Sequence, residues 1–151
     1  MVINDTNNFV SIVARLLIGL GYTNVKENEA GSAIDITAEK DGGRYCFKCR
    51  YDIDAIGAKS ISDFAEAAKS AGYDNRIYVT NSSFLSAAKR AGEEKNVTLW
   101  DRNTIDRMYI GMSDSLEDKV VPVRRSKAAY VVAAVVILVI AAAAVYWFVF
   151  R

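Results

Sequence analysis

The chain has 151 residues, with 19 Lys+Arg against 18 Asp+Glu and no His. A net charge near zero gives no overall pull towards nucleic acid, so any basic surface must be local. The lack of His excludes Ser-His-Asp and Cys-His catalysis and His-containing metal sites; two Cys fit a reducing compartment, and the start MVINDTNNF, without charged n-region or apolar h-region, is not expected to act as an export signal.

The first segment, NNFVSIVARLLIGLG, places Phe9, Ile12, Val13, Leu16, Leu17 and Leu20 at the spacing of an amphipathic helix that Gly21 can end. A short strand from Thr23 to Glu27 follows. Then comes a hairpin of two strands, Ala33 to Lys40 and Arg44 to Tyr51. Taking Gly42-Gly43 as a two-residue turn sets Asp41 opposite Arg44, Thr37 opposite Lys48 and Asp35 opposite Arg50. One face then carries Ile34, Ile36, Ala38, Phe47 and Cys49. The other gathers Asp35, Lys48 and Arg50 into one polar cluster.

After a loop through Ile56-Gly57, SISDFAEAAKSAG reads as a helix ending at Gly72. RIYVT, from Arg76 to Thr80, is a short buried strand. Ser83 to Lys95 is a second Ala-rich helix, VTLW (Val97 to Trp100) the next strand, and Asn103 to Met108 a short terminal helix. The order αβββαβαβ implies an α/β fold with a mixed sheet flanked by helices.

Residues 111–127 contain the single proline, Pro122, and read as a basic juxtamembrane linker that closes a domain spanning residues 1–110. From Ala128 to Phe150 no residue is charged. At about 1.5 Å per residue this run spans roughly 35 Å, enough for a hydrocarbon core of about 30 Å. Tyr130 at one end and Tyr146, Trp147, Phe148 and Phe150 at the other suit the two interfaces. The expected element is one C-terminal transmembrane helix in a lipid bilayer. Lys119, Arg124, Arg125 and Lys127 precede it and Arg151 alone follows, so the positive-inside rule places the N-terminal domain in the cytoplasm. Ala141 to Ala144 are small enough for close helix packing, a hint of homodimerisation.

Cys46 and Cys49 form a C-x-x-C. On a strand, residues three apart face opposite ways, and zinc wants about four ligands, so neither a disulfide nor a metal role is expected. Asn81, Ser82 and Ser83 read as caps of the following helix. Trp100 reads as core and Asp101 as a helix cap.

The segments GYTNV, GSAIDI, YCFKCRY, IGAKSI, YVTNSSF and NVTLWDR, in this order over roughly residues 8–110, resemble the catalytic domain of Mrr-type restriction endonucleases, of the PD-(D/E)xK nuclease fold. The resemblance implies Mg²⁺-dependent cleavage of phosphodiester bonds in DNA. It matches Asp35 to the family's metal-binding Asp, and Lys48-Cys49-Arg50 to its Gln/Glu-x-Lys. Lys48 thus stands where a metal ligand is expected. Its ammonium has no lone pair to offer while protonated. Arg50 stands at the catalytic Lys and keeps its proton at ordinary pH, though it can contact phosphate. The implied set is Asp35, Lys48 and Arg50 as degenerate catalytic residues, with Asp35 the one remaining metal ligand. Lys48, Arg50, Lys59, Asn81 and Ser82 are the implied DNA contacts. Two readings stay open: a membrane-anchored DNA endonuclease domain whose cleavage is weakened or lost, and a non-catalytic membrane-bound module that binds DNA or a protein.

Overall fold

A computed structural model describes residues 5–117. The chain divides into two units, Met1–Ser115 and Leu116–Arg151, and the described elements belong almost wholly to the first. They run α1 (Asp5–Gly19), β1 (Thr23–Glu27), β2 (Ile36–Lys40), β3 (Gly43–Arg50), α2 (Ala58–Ser70), β4 (Asn75–Thr80), α3 (Ser86–Glu94), β5 (Val97–Trp100) and α4 (Arg102–Glu117). One five-stranded sheet has the order β1-β2-β3-β4-β5. β1, β2 and β3 pair antiparallel, β2 and β3 through a tight turn, while β3, β4 and β5 pair parallel. A parallel neighbour needs a long crossover, and α2 and α3 supply the two.

Strand alternation builds two cores. On β3, Phe47 faces Val13, Leu16 and Leu17 of α1, Trp100, and Ile105 of α4. Cys46 faces Ile61, Phe64 and Ala68 of α2 and Ala88 of α3. Phe47 is fully buried and lies 5.6 Å from the Tyr22 ring and 5.9 Å from that of Trp100, between centroids. Tyr78 holds the matching place on the other face, edge-on to Phe64 and Phe84. At Gly21, with φ +87°, the Tyr22 N–H turns back to the Leu17 carbonyl at 3.0 Å and closes α1 in a Schellman motif.

Several expectations change. The hairpin turn is Asp41-Gly42, not Gly42-Gly43, because Lys40 pairs with Gly43 and Glu39 with Arg44. Asp41 at φ 52° and Gly42 at φ 79° are both left-handed, as a type I′ turn demands of its two central residues. β2 starts only at Ile36, and the alternation of faces breaks just before it. Ile34 packs with the α2 core and Ile36 with the α1 core, so the two do not share a face. Ile12 is half-exposed, and Val10 and Ala14 fill the buried face of α1 instead. α3 begins at Ser86 rather than Ser83, because Phe84 forms a parallel bridge with Ile56. α4 continues to Glu117, past the Met108 end read from spacing. Among the described residues no helix is long and apolar enough to cross a membrane. The span expected from Ala128 to Phe150, and residues 118–127 ahead of it, lie outside the described residues.

Candidate functional site: the Asp35–Lys48 pair and its cleft

Asp35 is fixed by its backbone. Its N–H donates to the Phe47 carbonyl at 2.9 Å, and its carbonyl accepts the Asn28 N–H at 2.8 Å. The Asn28 side chain binds the Ile34 carbonyl at 2.9 Å, which holds the approaching loop. The Asp35 side chain lies against β3. There Oδ2 accepts the backbone N–H of Cys49 at 2.7 Å, and Oδ1 accepts Nζ of Lys48 at 3.1 Å. Lys48 Nζ also donates to the Ser32 carbonyl at 2.7 Å. The Asp35 side chain is 9% exposed and that of Lys48 25%. This ion pair is therefore largely withdrawn from water.

Arg50 does not join them by contact. Its Nε donates to Asp52 Oδ2 at 3.0 Å, with the side chain half-exposed. It shares a cleft of about 190 Å³ with Lys48, lined also by Ser60, Asp63, Phe64 and Tyr78. Burial pushes the Tyr78 hydroxyl pKa up, and the Arg50 charge pulls against that shift. On its other side, Asp35 borders a second cleft of about 250 Å³ with Ser11, Glu27 and Asn28. A further cleft between Glu66, Lys69, Arg76 and Lys95 is remote from these residues and lined by cations and carboxylates in near balance.

The remaining expected contacts each have a local partner. Lys59 donates to Asp63 at 2.6 Å, one helical turn on along α2, and that bond raises its pKa. Asn81 Oδ1 accepts the Asp52 N–H at 2.7 Å, and the Ser82 hydroxyl donates to the Ile53 carbonyl at 3.4 Å. Asn81 and Ser82 thus tie the loop after β3 to the end of β4. They do not cap α3, whose N-cap is Leu85 with no side-chain bond. Asp52 also accepts the N–H groups of Ile53 and Asp54. The Asp54 bond first, and the Arg50 bond next, hold its carboxyl below the usual range. Asp101 does cap α4, taking the N–H and hydroxyl of Thr104 at 2.8 and 2.7 Å.

Asp52, Asp63, Tyr78 and Ser32 are the site residues that sequence reasoning passed over. The first two carried a signal. Asp63 lies four residues after Lys59 on one helix face. Asp52 follows Arg50 by two and heads an Asx turn. The Ser32 carbonyl and the Tyr78 hydroxyl carried none, because main-chain oxygens and core faces belong to tertiary structure.

Cys46 and Cys49 are both buried, and they belong to opposite cores. Burial pushes the Cys46 thiol up to about 12, with Arg76 drawing it partly back. Burial, then the Asp35 charge, raises that of Cys49 further. A raised folded-state pKa favours the thiol form. Its stabilising contribution is complete below the unfolded value of 9.0 and is lost as pH rises towards about 12 for Cys46. The midpoint of urea unfolding should therefore fall between pH 9 and 11 more steeply for the native chain than for Cys46→Ala, and neither thiol should react with iodoacetamide at pH 8 unless urea is present. Rapid alkylation of the folded chain would contradict this.

A divalent ion does not suit this donor set. Both Asp35 oxygens already accept N–H donors, and the position expected to offer a second oxygen carries an ammonium. Among the described residues no three carboxylates or thiols stand close enough to hold a metal together. Mg²⁺ wants near-octahedral oxygen ligation at about 2.0–2.1 Å.

The Mrr_cat restriction endonuclease family matches residues 4–109. A protein of unknown function, AF1548, is 25% identical with a TM-score of 0.54, over 61% of this chain and 55% of its own. The restriction endonuclease MspJI, in complex with a 27-mer oligonucleotide, is 13% identical with a TM-score of 0.51, over 66% and 26%. The DNA modification-dependent restriction endonuclease AspBHI is 14% identical with a TM-score of 0.51, over 72% and 31%. The likeness to the last two is one of fold. The chain spans about half or less of the length of these structures, and no curated protein matches it.

Proposed function

Since this chain belongs to the restriction endonuclease family of Mrr catalytic domains, we propose that it is a DNA-engaging domain that keeps the nuclease fold without metal-dependent cleavage and is tethered to a membrane. One observation carries the loss of cleavage: the Asp35 carboxylate is occupied by Lys48 Nζ and the Cys49 N–H. Metal-assisted phosphodiester cleavage needs a cation that orients water and neutralises developing charge. Arg50 cannot replace the family Lys as a base, because a guanidinium keeps its proton.

DNA as partner is supported by the family and by solved structures of like fold, one of them in complex with an oligonucleotide. Arg50 and Lys59 are the phosphate contacts of this reading, with Lys48 less exposed in the cleft that it shares with Arg50. Each carries a carboxylate partner: Asp52, Asp63 and Asp35. A phosphate must displace or share these partners, so affinity is low and the logarithmic salt slope is only about −1 to −2, at roughly −0.9 per neutralised phosphate. The anchor, Ala128 to Phe150, with Lys119, Arg124, Arg125 and Lys127 before it, holds the domain on the cytoplasmic side. Pairing of two chains through Ala141 to Ala144 belongs to the same reading.

Supercoiled plasmid incubated with the full chain and Mg²⁺ or Mn²⁺ should remain uncut. Labelled duplex titrated at two salt concentrations should bind, more weakly at high salt and equally with EDTA. Asp63→Asn should tighten binding by freeing Lys59. Arg50→Ala should weaken it and flatten the salt slope by about 0.9. Nicking that vanishes in Asp35→Ala would overturn the loss of cleavage. Affinity indifferent to both charge changes would overturn the DNA reading and leave a protein partner for this face.

A further inference from the structure

We propose that the Lys48 ammonium is the resident cation of this site, a covalently tethered replacement for a divalent ion, so that Asp35 stays neutralised whatever the metal supply. The inference shares with the functional reading the occupied state of Asp35, but it concerns the fold and stands without DNA binding.

The ligand set is the first argument. Lys48 Nζ sits between a carboxylate oxygen of Asp35 at 3.1 Å and the main-chain carbonyl of Ser32 at 2.7 Å. Carboxylate and backbone carbonyl oxygens are the donors that hard cations collect. The distances are those of N–H···O hydrogen bonds, and an ammonium brings three donors to spend on them. The second argument is charge. One carboxylate and one ammonium leave the pair neutral. An incoming divalent ion would meet the ammonium at close range, or would have to expel it from two bonds. The third is burial. With its side chain 9% exposed, Asp35 depends on a counter-charge within the protein. Arg50, the other cation of the cleft, does not provide one, since it is turned to Asp52. The fourth is concentration. A tethered cation needs no free ion to fill the site, whereas stabilisation by a metal rises and falls with metal concentration.

The test follows thermal unfolding of the full chain in EDTA and in millimolar MnCl₂. The native chain should melt at the same temperature in both. K48E places two carboxylates together, so it should melt lower in EDTA and recover by several degrees in MnCl₂. K48E combined with Asp35→Asn should lose that response. If K48E does not fold in EDTA, refolding it with MnCl₂ present gives the same reading: recovery supports the proposal. A Mn²⁺-dependent rise in the native chain that disappears in Asp35→Asn would overturn it, as would K48E that ignores Mn²⁺. Duplex binding measured on the same samples keeps the two ideas apart. Loss of DNA binding with this ion response intact would sink only the functional reading.

Discussion

Lys48→Met should lower the stability of the domain by about 2–3 kcal/mol, and Asp35→Asn by clearly less. Methionine keeps the length of the lysine stem and removes the charge, so little packing is lost. What remains is the Asp35 carboxylate, 9% exposed, with only the Cys49 N–H to stabilise it. Breaking a buried pair from one side costs about 3–5 kcal/mol. The value here is set lower because the Lys48 side chain is 25% exposed, which lets water reach the pair. The reverse change is milder for two reasons. An Asn oxygen can still accept the Cys49 N–H, and Lys48, being partly exposed, can carry its ammonium towards solvent. The double variant should be no less stable than Lys48→Met alone, since it removes the orphaned charge. Urea unfolding of the four proteins measures the cycle. Equal costs for the two single changes would show that the pair is surface-like and contributes little.

Phe47→Ala should cost about 3–5 kcal/mol, the range for removing a buried aromatic. Phe47 is fully exposed to none of the solvent and stands where α1, β2 and β5 meet, with Tyr22, Tyr45 and Trp100 around it. It also neighbours Lys48 on β3, and its carbonyl accepts the Asp35 N–H. The cavity should therefore loosen the site as well as the core. Calorimetric unfolding gives the size of the effect. A loss under about 1 kcal/mol would mean that the surrounding rings close over the gap, against the close packing usual in interiors.

The hairpin shows how far the sequence alone reaches. A turn at Gly42-Gly43 and one at Asp41-Gly42 differ by two residues in register, and a two-residue slip leaves every side chain on the same face. Hydrophobic sorting of Ile36, Ala38, Phe47 and Cys49 therefore could not separate them. Turn chemistry could not either, because Asp-Gly and Gly-Gly both allow the positive φ that a type I′ turn needs at its two central positions. The slip altered the site: the carboxylate expected opposite Arg50 lies against Lys48. Likewise Ile34 was sorted onto the wrong face because alternation presumes an unbroken strand, whereas Ile34 and Ile36 pack in different cores.

Periodicity determined the element order, the mixed sheet and the opposite burial of Cys46 and Cys49, and the resemblance carried by six ordered segments gave the family. These are properties of neighbours along the chain, and neighbours along the chain are what a sequence displays. Tertiary structure alone decided that Lys48, and not Arg50, meets Asp35. Lys48 takes Asp35 and the Ser32 carbonyl, 13 and 16 residues away. Arg50 takes Asp52, and that loop is held by Asn81, just past the adjacent end of β4. The meeting of Lys48 and Asp35 depends on distances of a few ångströms between groups that lie apart in the chain. A charge buried at Asp35 must be matched in space, whatever the spacing in the chain.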